Sequence, residues 1–233
     1  MTTQPARVTI GRRTFVGYVV AGATLVAAAD LGTAPAGPAA AAPGVPQPAE
    51  LYDLNDFLTE AAMPTANLIT VEVHEDGTAS FALPRMEVGQ GITTSTAMLI
   101  AEELELPLDR VRVTLADARP ELVWNQLTGG SNTTISTYTP VRVAAAVAKQ
   151  ALLEAAAIQL GDTVANLVAR GGVVQAPDGR SLTYGELARA AASRTTRAVD
   201  VRLKDPAQFR VVGTGQPRID ALEAVTGRKQ YAT

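Results

Sequence analysis

The chain has 233 residues, which is room for one ordinary domain or for one domain with tails, and its 47% hydrophobic content is enough for a core. A formal net charge of -3 and the lack of a basic stripe argue against nucleic-acid binding. The sequence has no cysteine, which excludes disulfides, thiolate metal sites and iron–sulfur ligation by this chain, and one histidine, His74, which argues against a histidine-based metal site or a Ser-His-Asp triad.

The N-terminal region has an order of charged, apolar and small residues that is typical of an export signal. Basic residues come first, an apolar run follows at residues 15–32, and small residues follow at 39–42. The apolar run is too short and too interrupted for a membrane span. The letters RRTF at residues 12–15 resemble a twin-arginine signal, in which a variable residue and then Phe follow the arginine pair. The alternative is an ordinary export signal or anchor with a basic flank.

Residues 1–42 are therefore predicted to be a twin-arginine-type signal that exports the protein to the periplasm or another extracytoplasmic compartment, with cleavage near Ala41. Such signals typically export proteins that are already folded, often with a cofactor inserted. Contact with the membrane is expected only through this segment, if it is uncleaved. Residues 43–66 are predicted to be a linker and a short amphipathic segment, since Ala, Pro and Gly precede the letters LYDLNDFL.

The first strands after the linker are predicted to form a β-hairpin. Apolar and polar residues alternate, or nearly so, at 68–73 and at 79–83, and the letters EDGT between them place a glycine at the turn. His74 lies just before this turn, with no partner for catalysis nearby in the sequence. We therefore predict a solvated loop histidine rather than a catalytic one.

An amphipathic helix is predicted after Gly91, with Ala97, Ile100 or Ala101, and Leu104 on its apolar face, and Leu106-Pro107 ends it. Its glutamates are expected to point outward: Glu102, Glu103 and Glu105. Alternation at 111–115 predicts a half-buried strand after the helix.

A long alanine-rich helix is predicted to begin at Pro140, with Thr139 as its N-cap. Its predicted apolar stripe consists of Val141, Ala145, Ala148, Leu152 and Ala155. Three charged residues are expected to point away from that stripe: Arg142, Lys149 and Glu154. The remaining predicted elements are a short hairpin around 173–179, a small helix at 184–192 capped by Thr183, and an extended, mostly polar segment at 199–212.

This mixture of β-hairpins with helices packed on one face predicts the α+β class. Strands and helices do not alternate regularly enough for a doubly wound sheet, and no internal repeat is evident.

Two glycine-rich turns carry the functional signal. Gly89, Gln90 and Gly91 precede a cluster of hydroxyl side chains, and Gly129 and Gly130 precede another. Glycines let backbone N–H groups approach a ligand closely, and helix N-termini favour anions. Each turn alone is weak evidence, since a tight turn or a capping loop has the same letters. Together they predict a binding site for a large, phosphate-bearing cofactor.

The first of these turns is not a dinucleotide-binding fingerprint. In the pattern G-x-G-x-x-G, a third glycine should stand where this sequence has Thr94.

The two turns and their surroundings resemble a known family. MEVGQGITTSTAMLIAEELELPLDRVRV and NQLTGGSNTTISTYTPVRVAAAVAKQALLEAA are similar to the molybdopterin-binding large subunit of the xanthine dehydrogenase/aldehyde oxidase family, of the exported isoquinoline 1-oxidoreductase β-subunit type. SLTYGELARAAA, LKDPAQFRVVGTGQPRIDALEAVTGRKQYA and the arginine-pair signal are similar to that branch too. The resemblance covers nearly the whole chain.

The resemblance implies a molybdopterin cofactor with molybdenum, in the cytosine dinucleotide form of the family's bacterial branch. The positions that match the family's cofactor-binding turns are Gly89, Gln90, Gly91, Thr128, Gly129, Gly130, Ser131 and Thr133. The first turn would lie against the pterin, with the Gln90 amide near the molybdenum, and the second would contact the phosphate or nucleotide. The metal is bound by sulfurs of the cofactor, so no protein metal ligand is expected.

Family members hydroxylate N-heteroaromatic compounds or aldehydes with oxygen from water, and they pass electrons to a separate small [2Fe-2S] subunit. Their large subunits are much longer, and their catalytic glutamate lies near the far end. The resemblance therefore implies that residues 67–212 are a partial cofactor-binding domain, that 213–233 lead into a missing downstream domain, and that the partners are the rest of the large subunit and the iron–sulfur subunit.

No catalytic residue is assigned to this chain. Glu87 is close to the first turn, but a surface carboxylate is the favoured interpretation. Trp124 and Gln126 are candidates to lie over the cofactor, and Trp124 fits a plain core position equally well. The alternative to a portion of an exported molybdenum hydroxylase is a non-catalytic exported accessory or degenerate domain of the same fold.

Overall fold

The computed structural model describes residues 14–30, 69–118 and 126–229. Three single 3-10 turns lie at Leu108–Arg110, Val164–Asn166 and Pro206–Gln208. The strands are β1 (Thr14–Val20), β2 (Leu25–Asp30), β3 (Thr70–Val73), β4 (Ala79–Leu83), β5 (Val111–Leu115), β6 (Val168–Arg170), β7 (Val173–Gln175), β8 (Ser181–Thr183) and β9 (Arg197–Arg202). The helices are α1 (Ile92–Leu104), α2 (Asn132–Leu160), α3 (Tyr184–Ala191) and α4 (Ala221–Val225).

A six-stranded sheet in the order β5-β4-β3-β2-β1-β9 forms one layer. Neighbouring strands run antiparallel except β4 and β5, which are parallel and joined through α1. Helix α2 packs across β1, β2, β3 and β9, while α1 packs beside α2 and against β5. Strands β6, β7 and β8 form a small antiparallel sheet of their own. The α+β class is confirmed.

The hairpin, the first helix and the strand that follows it were all predicted correctly. Strands β3 and β4 pair through a turn in which Gly77 has a φ of 76°. His74 at this turn is half-buried, and its Nε2 lies 2.7 Å from Ser80 Oγ, so it is less solvated than predicted. Thr183 caps α3 in a reciprocal arrangement with Glu186, as the letters indicated.

Helix α2 begins earlier than the sequence predicts. It starts at Asn132, so Pro140 lies inside the helix rather than at its first position. A proline there lacks the N–H that would bond to the Ser136 carbonyl, which normally disfavours a helix interior. The turns before it are nevertheless held by burial of Thr133, Ser136 and Thr137. Tertiary packing thus outweighs the local preference.

The core lies between α2 and the sheet. All five residues of the predicted apolar stripe are buried, from Val141 to Ala155. Among the described residues α2 is the one helix long and apolar enough to cross a membrane, but 61% of its most apolar window is buried inside the protein. Its apolar character is therefore explained by its place as the core helix.

Several charged residues predicted to face outward are buried instead. Glu102 and Glu103 on α1 are 2% and 0% exposed, and Arg142 on α2 is buried beside them. Arg142 Nη2 lies 2.6 Å from Glu103 Oε1, and Lys204 Nζ lies 2.5 Å from Glu102 Oε1. Because these partners come from distant parts of the chain, helical periodicity alone placed the charged residues on the solvent-facing side of each helix, which is wrong.

Residues 14–30, which the sequence analysis assigned to an export signal, form β1 and β2 of the sheet. The predicted domain start at residue 67 therefore leaves out two strands. The alternation of inward residues in this run, including Leu25, Ala27 and Ala29, suits a strand as well as the apolar part of a signal. Export itself stays a prediction. The predicted linker at 43–66 lies outside the described residues.

Candidate functional site

The first glycine-rich turn joins the end of β4 to α1. Gly89 has a φ of 102° and Gly91 a φ of 79°, conformations that side-chain-bearing residues rarely adopt. A Cβ built at either position meets no atom of the described residues within 4 Å. The glycines are therefore required by the backbone conformation, and the turn has open space beside it. Gln90 between them is exposed.

Glu87 is buried at this turn, so the prediction of a surface carboxylate was wrong. It is 5% exposed, and its carboxylate accepts hydrogen bonds from the amides of Gly89, Gly91 and Thr93 at 2.9, 2.9 and 3.2 Å. The Thr93 hydroxyl donates a further bond at 3.1 Å. Burial raises the pKa of Glu87, but these hydrogen bonds outweigh it and hold the pKa below the ordinary glutamate value.

The consequence is that the Thr93 amide in the first turn of α1, and two glycine amides just before the helix, already bind a carboxylate of the chain itself. A helix N-terminus attracts anions through unpaired N–H groups and the helix dipole. Here Glu87 takes that position, and an anionic ligand group has to be held elsewhere.

The Gln90 side chain folds back on its own turn. Its Oε1 accepts a bond of 2.6 Å from the Val88 amide, and its Nε2 donates a bond of 2.9 Å to the Met86 carbonyl. A primary amide has two N–H donors and two acceptor lone pairs. One of each is used within the turn, which leaves one N–H and one lone pair for a ligand on the exposed side.

The second glycine-rich turn leads into α2. Gly130 and Ser131 both have positive φ angles, 56° and 60°, and both are exposed. The Asn132 side chain braces the turn, because its Oδ1 accepts from the Gly129 amide at 3.2 Å and its Nδ2 donates to the Leu127 carbonyl at 3.1 Å. A serine in the left-handed region is uncommon, so this turn has a conformation that its surroundings impose.

The two turns lie side by side. The Met86 amide donates a hydrogen bond of 2.9 Å to Thr128 Oγ1, which joins them directly. Arg85 makes a second bridge, since its Nη1 donates to the Leu127 carbonyl at 2.9 Å and its Nη2 to Ser136 Oγ at 2.6 Å. Burial lowers the pKa of Arg85 to about 10.

Of the predicted binding positions, the structure brings the residues of both turns to one face of the protein. Thr133 differs from the rest, because it is buried in the first turn of α2. Sequence reasoning missed Arg85, Asn132 and Glu87 as the residues that shape the turns. In the sequence, these residues are marked only by being charged or amide residues next to a glycine-rich turn. Many surface turns have such a neighbour, so the pattern does not single them out.

A third segment contacts the first turn from one side. Arg218 Nη1 donates a hydrogen bond of 2.5 Å to the Gly89 carbonyl, and the Ile219 amide donates one of 3.1 Å to Thr94 Oγ1. Asp220 holds the Arg218 guanidinium through two bonds of 2.8 Å. The sequence predicts a linker at residues 213–233, but the described part of this segment packs against the first turn.

Two clefts flank the turns. One encloses about 480 Å³ between β5, α1 and α4 and is lined in part by Glu87, Thr93 and Asp220. The other encloses about 260 Å³ between α1 and α2 and is mostly apolar, with Ile92 and Tyr138 in its wall. Both are open depressions beside the turns rather than closed chambers.

The described residues offer no evident protein site for a metal. No three Asp, Glu or His residues in the described part of the chain lie close enough together to hold an ion. Trp124 lies outside the described residues. Gln126 is half-buried, and its Nε2 donates a bond of 3.0 Å to the Asp117 carbonyl.

Comparison with known proteins identifies the family to which these turns belong. Residues 51–221 match the family described as a molybdopterin cofactor-binding domain. The chain is 35% identical over 162 residues to a nicotinate dehydrogenase subunit of Pseudomonas putida, covering 69% of this chain and 14% of that protein. It is 29% identical over 266 residues to the beta subunit of isoquinoline 1-oxidoreductase of Brevundimonas diminuta, covering 97% of this chain and 32% of that protein.

Among solved structures, quinoline 2-oxidoreductase from Pseudomonas putida 86 is similar with a TM-score of 0.46 and 14% identity, over 83% of this chain and 23% of that chain. The chain spans less than a third of the length of each of these relatives.

Proposed function

Because the chain belongs to the molybdopterin cofactor-binding domain family, we propose that it is the N-terminal, cofactor-contacting portion of the large subunit of a molybdenum hydroxylase. The observation that carries the proposal is the direct bond between the Met86 amide and Thr128 Oγ1, which holds the two glycine-rich turns together on one face. A cofactor with a pterin at one end and a phosphate or nucleotide at the other needs two adjacent contact points of this kind.

The residues present fit such a cofactor. Gln90 retains one donor and one acceptor toward open space, and the lack of side chains at Gly89 and Gly91 leaves the turn accessible to a flat ring system. Gly130 and Ser131 lie exposed at the positive end of the 29-residue helix α2, which favours a phosphate. We propose that the first turn contacts the pterin and the second the phosphate, in a cytosine dinucleotide form.

The division of labour at the site follows from the chain's own chemistry. When bound, the cofactor supplies the molybdenum, held by its own sulfurs, and hence the redox capacity. Gln90 orients the cofactor through its amide. Glu87 and Arg218 stabilise the turn through hydrogen bonds to the backbone of Gly91 and Gly89. The chain itself is not assigned a proton-transfer step. We propose that the catalytic glutamate lies in the rest of the large subunit.

The substrate class, partners and location are extensions of this proposal. We propose an N-heteroaromatic compound or an aldehyde as substrate, with water as the oxygen source. The names of two relatives, a nicotinate dehydrogenase subunit and an isoquinoline 1-oxidoreductase subunit, support the N-heteroaromatic class. Because both names are those of subunits, they also support an assembly with other subunits, which we propose are the rest of the large subunit and a small [2Fe-2S] subunit. Export to the periplasm is supported by the letters RRTF at residues 12–15.

A non-catalytic domain of the same fold is the second candidate. It is favoured by the hydrogen bonds inside the first turn, where the Glu87 carboxylate accepts from the amides of Gly89, Gly91 and Thr93. Such a domain would fold stably without molybdenum and would have no need of the spare hydrogen-bonding capacity of Gln90.

The test is to co-express the chain with the remaining large-subunit portion and the iron–sulfur subunit and to measure molybdenum and pterin content, hydroxylase activity and thermal stability. Gln90→Ala is expected to lower pterin retention and activity at least about tenfold and to lower the midpoint of thermal unfolding much less, because the two bonds it loses lie within an exposed turn. Gln150→Ala is the matched control, because Gln150 lies on α2 and bonds only Glu154 at 3.0 Å among the described residues. Equal loss of activity and stability in Gln90→Ala, or a stably folded assembly free of molybdenum and pterin, would contradict the proposal.

A further inference from the structure

The apolar N-terminal segment has two incompatible interpretations, as a removable export signal and as part of the sheet. We propose that residues 14–30 stay in the mature protein as a permanent pair of strands, and that the segment is not removed by cleavage near Ala41. This inference concerns maturation of the chain and holds with or without a bound cofactor.

The position of the hairpin in the sheet is the first support. Strand β1 pairs with β9 from Thr14↔Arg202 to Val19↔Arg197, and β2 pairs with β3 from Leu25↔Val73 to Ala28↔Thr70. The hairpin therefore lies inside the sheet and not at its edge. Among the strands that the structure describes, it alone links β9 to the rest of the sheet.

Removal of the hairpin would divide the sheet. Neighbouring strands are about 4.8 Å apart, so β3 and β9 are separated by about 14 Å across three strand spacings. They cannot pair without a rearrangement of everything packed on them. Both would be left with an unpaired edge, which is a template for aggregation.

The burial of the hairpin is the second support. Val19, Leu25, Ala27 and Ala29 are each fully buried in the core. Both strands pack on the long helix α2. A chain cut after residue 42 would expose the apolar face of α2 that these side chains cover, and large exposed apolar patches promote association.

Close packing at Gly17 is the third support. A Cβ built there would lie 2.5 Å from Val147 Cγ2 and 2.6 Å from the Ala28 carbonyl oxygen. Any side chain at this position would collide with both the core helix and the neighbouring strand. Insertion into a membrane does not require glycine at this position, because larger apolar residues favour insertion more strongly. The close packing at Gly17 is instead what a folded core requires.

The structure also limits how the predicted signal can act. The arginine pair at 12–13 directly precedes Thr14, the first residue of β1. A translocation apparatus that exports folded proteins would need this apolar run free, whereas folding places it between β3 and β9. Export through this segment therefore competes with completion of the sheet.

The first experiment determines the N-terminus of the mature protein. The full chain with a C-terminal tag is produced in a bacterium with a working twin-arginine pathway, and the folded, soluble fraction is analysed by intact mass and peptide mapping. Peptides covering residues 14–30 are expected in that fraction, in whichever compartment it is found. A soluble, folded protein that begins after residue 42 would overturn the inference.

The second experiment compares two glycines of the same segment. Gly17→Val is expected to lower the midpoint of thermal unfolding by about 5 °C or more, because it overpacks the contact between β1 and α2. Gly22→Val is the matched control, since Gly22 lies in the exposed turn between β1 and β2 and a Cβ there comes no closer than 3.6 Å to the described atoms. If the segment were removed on maturation, both variants would give the same mature protein and the same midpoint.

A deletion keeps the inference testable if Gly17→Val fails to fold. A chain lacking residues 1–42 and the full chain are produced in the cytoplasm of one host under the same conditions. The shortened chain is expected to be insoluble, or soluble without a cooperative unfolding transition. A shortened chain with the solubility and unfolding midpoint of the full chain would refute a structural role for the hairpin.

Discussion

Glu87 fixes the shape of the first glycine-rich turn through hydrogen bonds within the chain. Its buried carboxylate accepts four hydrogen bonds from Gly89, Gly91 and Thr93, and Arg218 Nη2 lies 3.6 Å from Glu87 Oε1. A turn fixed in this way presents Gln90 to the open side with little conformational freedom to lose on binding. The carboxylate therefore contributes to ligand binding through the position of its neighbour.

Glu87→Gln is predicted to destabilise the chain by about 1–3 kcal/mol at pH 7, because an amide supplies only one acceptor oxygen to the four donors. The folded-state pKa of Glu87 is lowered. Its contribution is therefore present above the unfolded value of about 4.3 and is lost as the pH falls through the folded value. Urea unfolding at a series of pH values should show the wild-type advantage shrinking in that window.

Glu75→Gln is the control for this substitution. Glu75 forms an exposed ion pair of 2.8 Å with Arg189, whose loss should cost less than about 1 kcal/mol. An effect of Glu87→Gln that is no larger than the control, or that persists unchanged at a pH of about 2, would contradict the role assigned to the carboxylate.

Arg85 connects the two turns from inside the protein. Arg85→Met is predicted to cost about 2 kcal/mol of unfolding free energy and to lower pterin retention in the assembly, because it removes the bonds to the Leu127 carbonyl and Ser136 Oγ. Leu127 keeps its bond from Asn132, which limits the loss. Arg180→Met, at an exposed ion pair of 2.7 Å with Asp178, should change neither quantity. Retention of the pterin at the wild-type level would show that the bridge is not needed for binding.

Helix α1 anchors the segment that follows β9. Glu102 Oε2 accepts hydrogen bonds from the amides of Arg210, Val211 and Val212 at 2.9, 2.7 and 2.9 Å. Burial raises the pKa of Glu102, but the bonds from Lys204 and these amides outweigh it and lower the pKa to about 2. One carboxylate thus holds a stretch of backbone that pairs with none of the described strands.

Glu102→Gln is predicted to loosen this segment and to destabilise the chain by about 3 kcal/mol, since it removes the negative charge that Lys204 contacts in a buried position. Hydrogen exchange of the amides of residues 210–212 should become at least about tenfold faster. Because the pKa is lowered from 4.5 to about 2, the contribution is present above pH 4.5 and is lost as the pH falls through that interval.

The control for the anchor is Glu154→Gln, which breaks a partly exposed ion pair of 2.8 Å with Arg197 on the other side of the core helix. Unchanged exchange at residues 210–212 in Glu102→Gln would mean that other contacts hold the segment.

At the level of elements, the sequence correctly predicted those features that depend on interactions between residues close together in the chain. The hairpin of β3 and β4, helix α1 and the cap at Thr183 follow from alternation, helical period and capping chemistry, and all are confirmed. The start of α2 was missed, because a proline favours a first position locally while the buried turns before Pro140 are held by packing. The glutamates of α1 were missed because their partners are distant in the sequence, as with Glu103 and Arg142.

The functional site shows the same division. Letters and resemblance identified the two glycine-rich turns, and the family match confirms the family. The residues that hold the turns together could not be predicted, since Arg85 and Thr128 reach across the junction of β4 and α2 through contacts that depend on the finished fold.

At the level of the whole molecule, the face that carries both turns exposes large apolar side chains. Val88 and Ile135 are 62% and 67% exposed, and they flank the first and the second turn. Large exposed apolar residues are typical of surfaces that bind another protein. If the proposed function is correct, the rest of the large subunit is the body that covers this face.

The double substitution Val88→Ser and Ile135→Ser is therefore predicted to weaken association with the remaining large-subunit portion by about tenfold or more, because each side chain loses apolar area buried on docking. The same change should reduce aggregation of the chain when it is produced alone. Ile158→Ser is the control, since Ile158 is 84% exposed near the other end of α2, away from both turns. Affinity is measured by titration of the separately purified portions, and an equal effect of the control and the double variant would place the covering surface elsewhere.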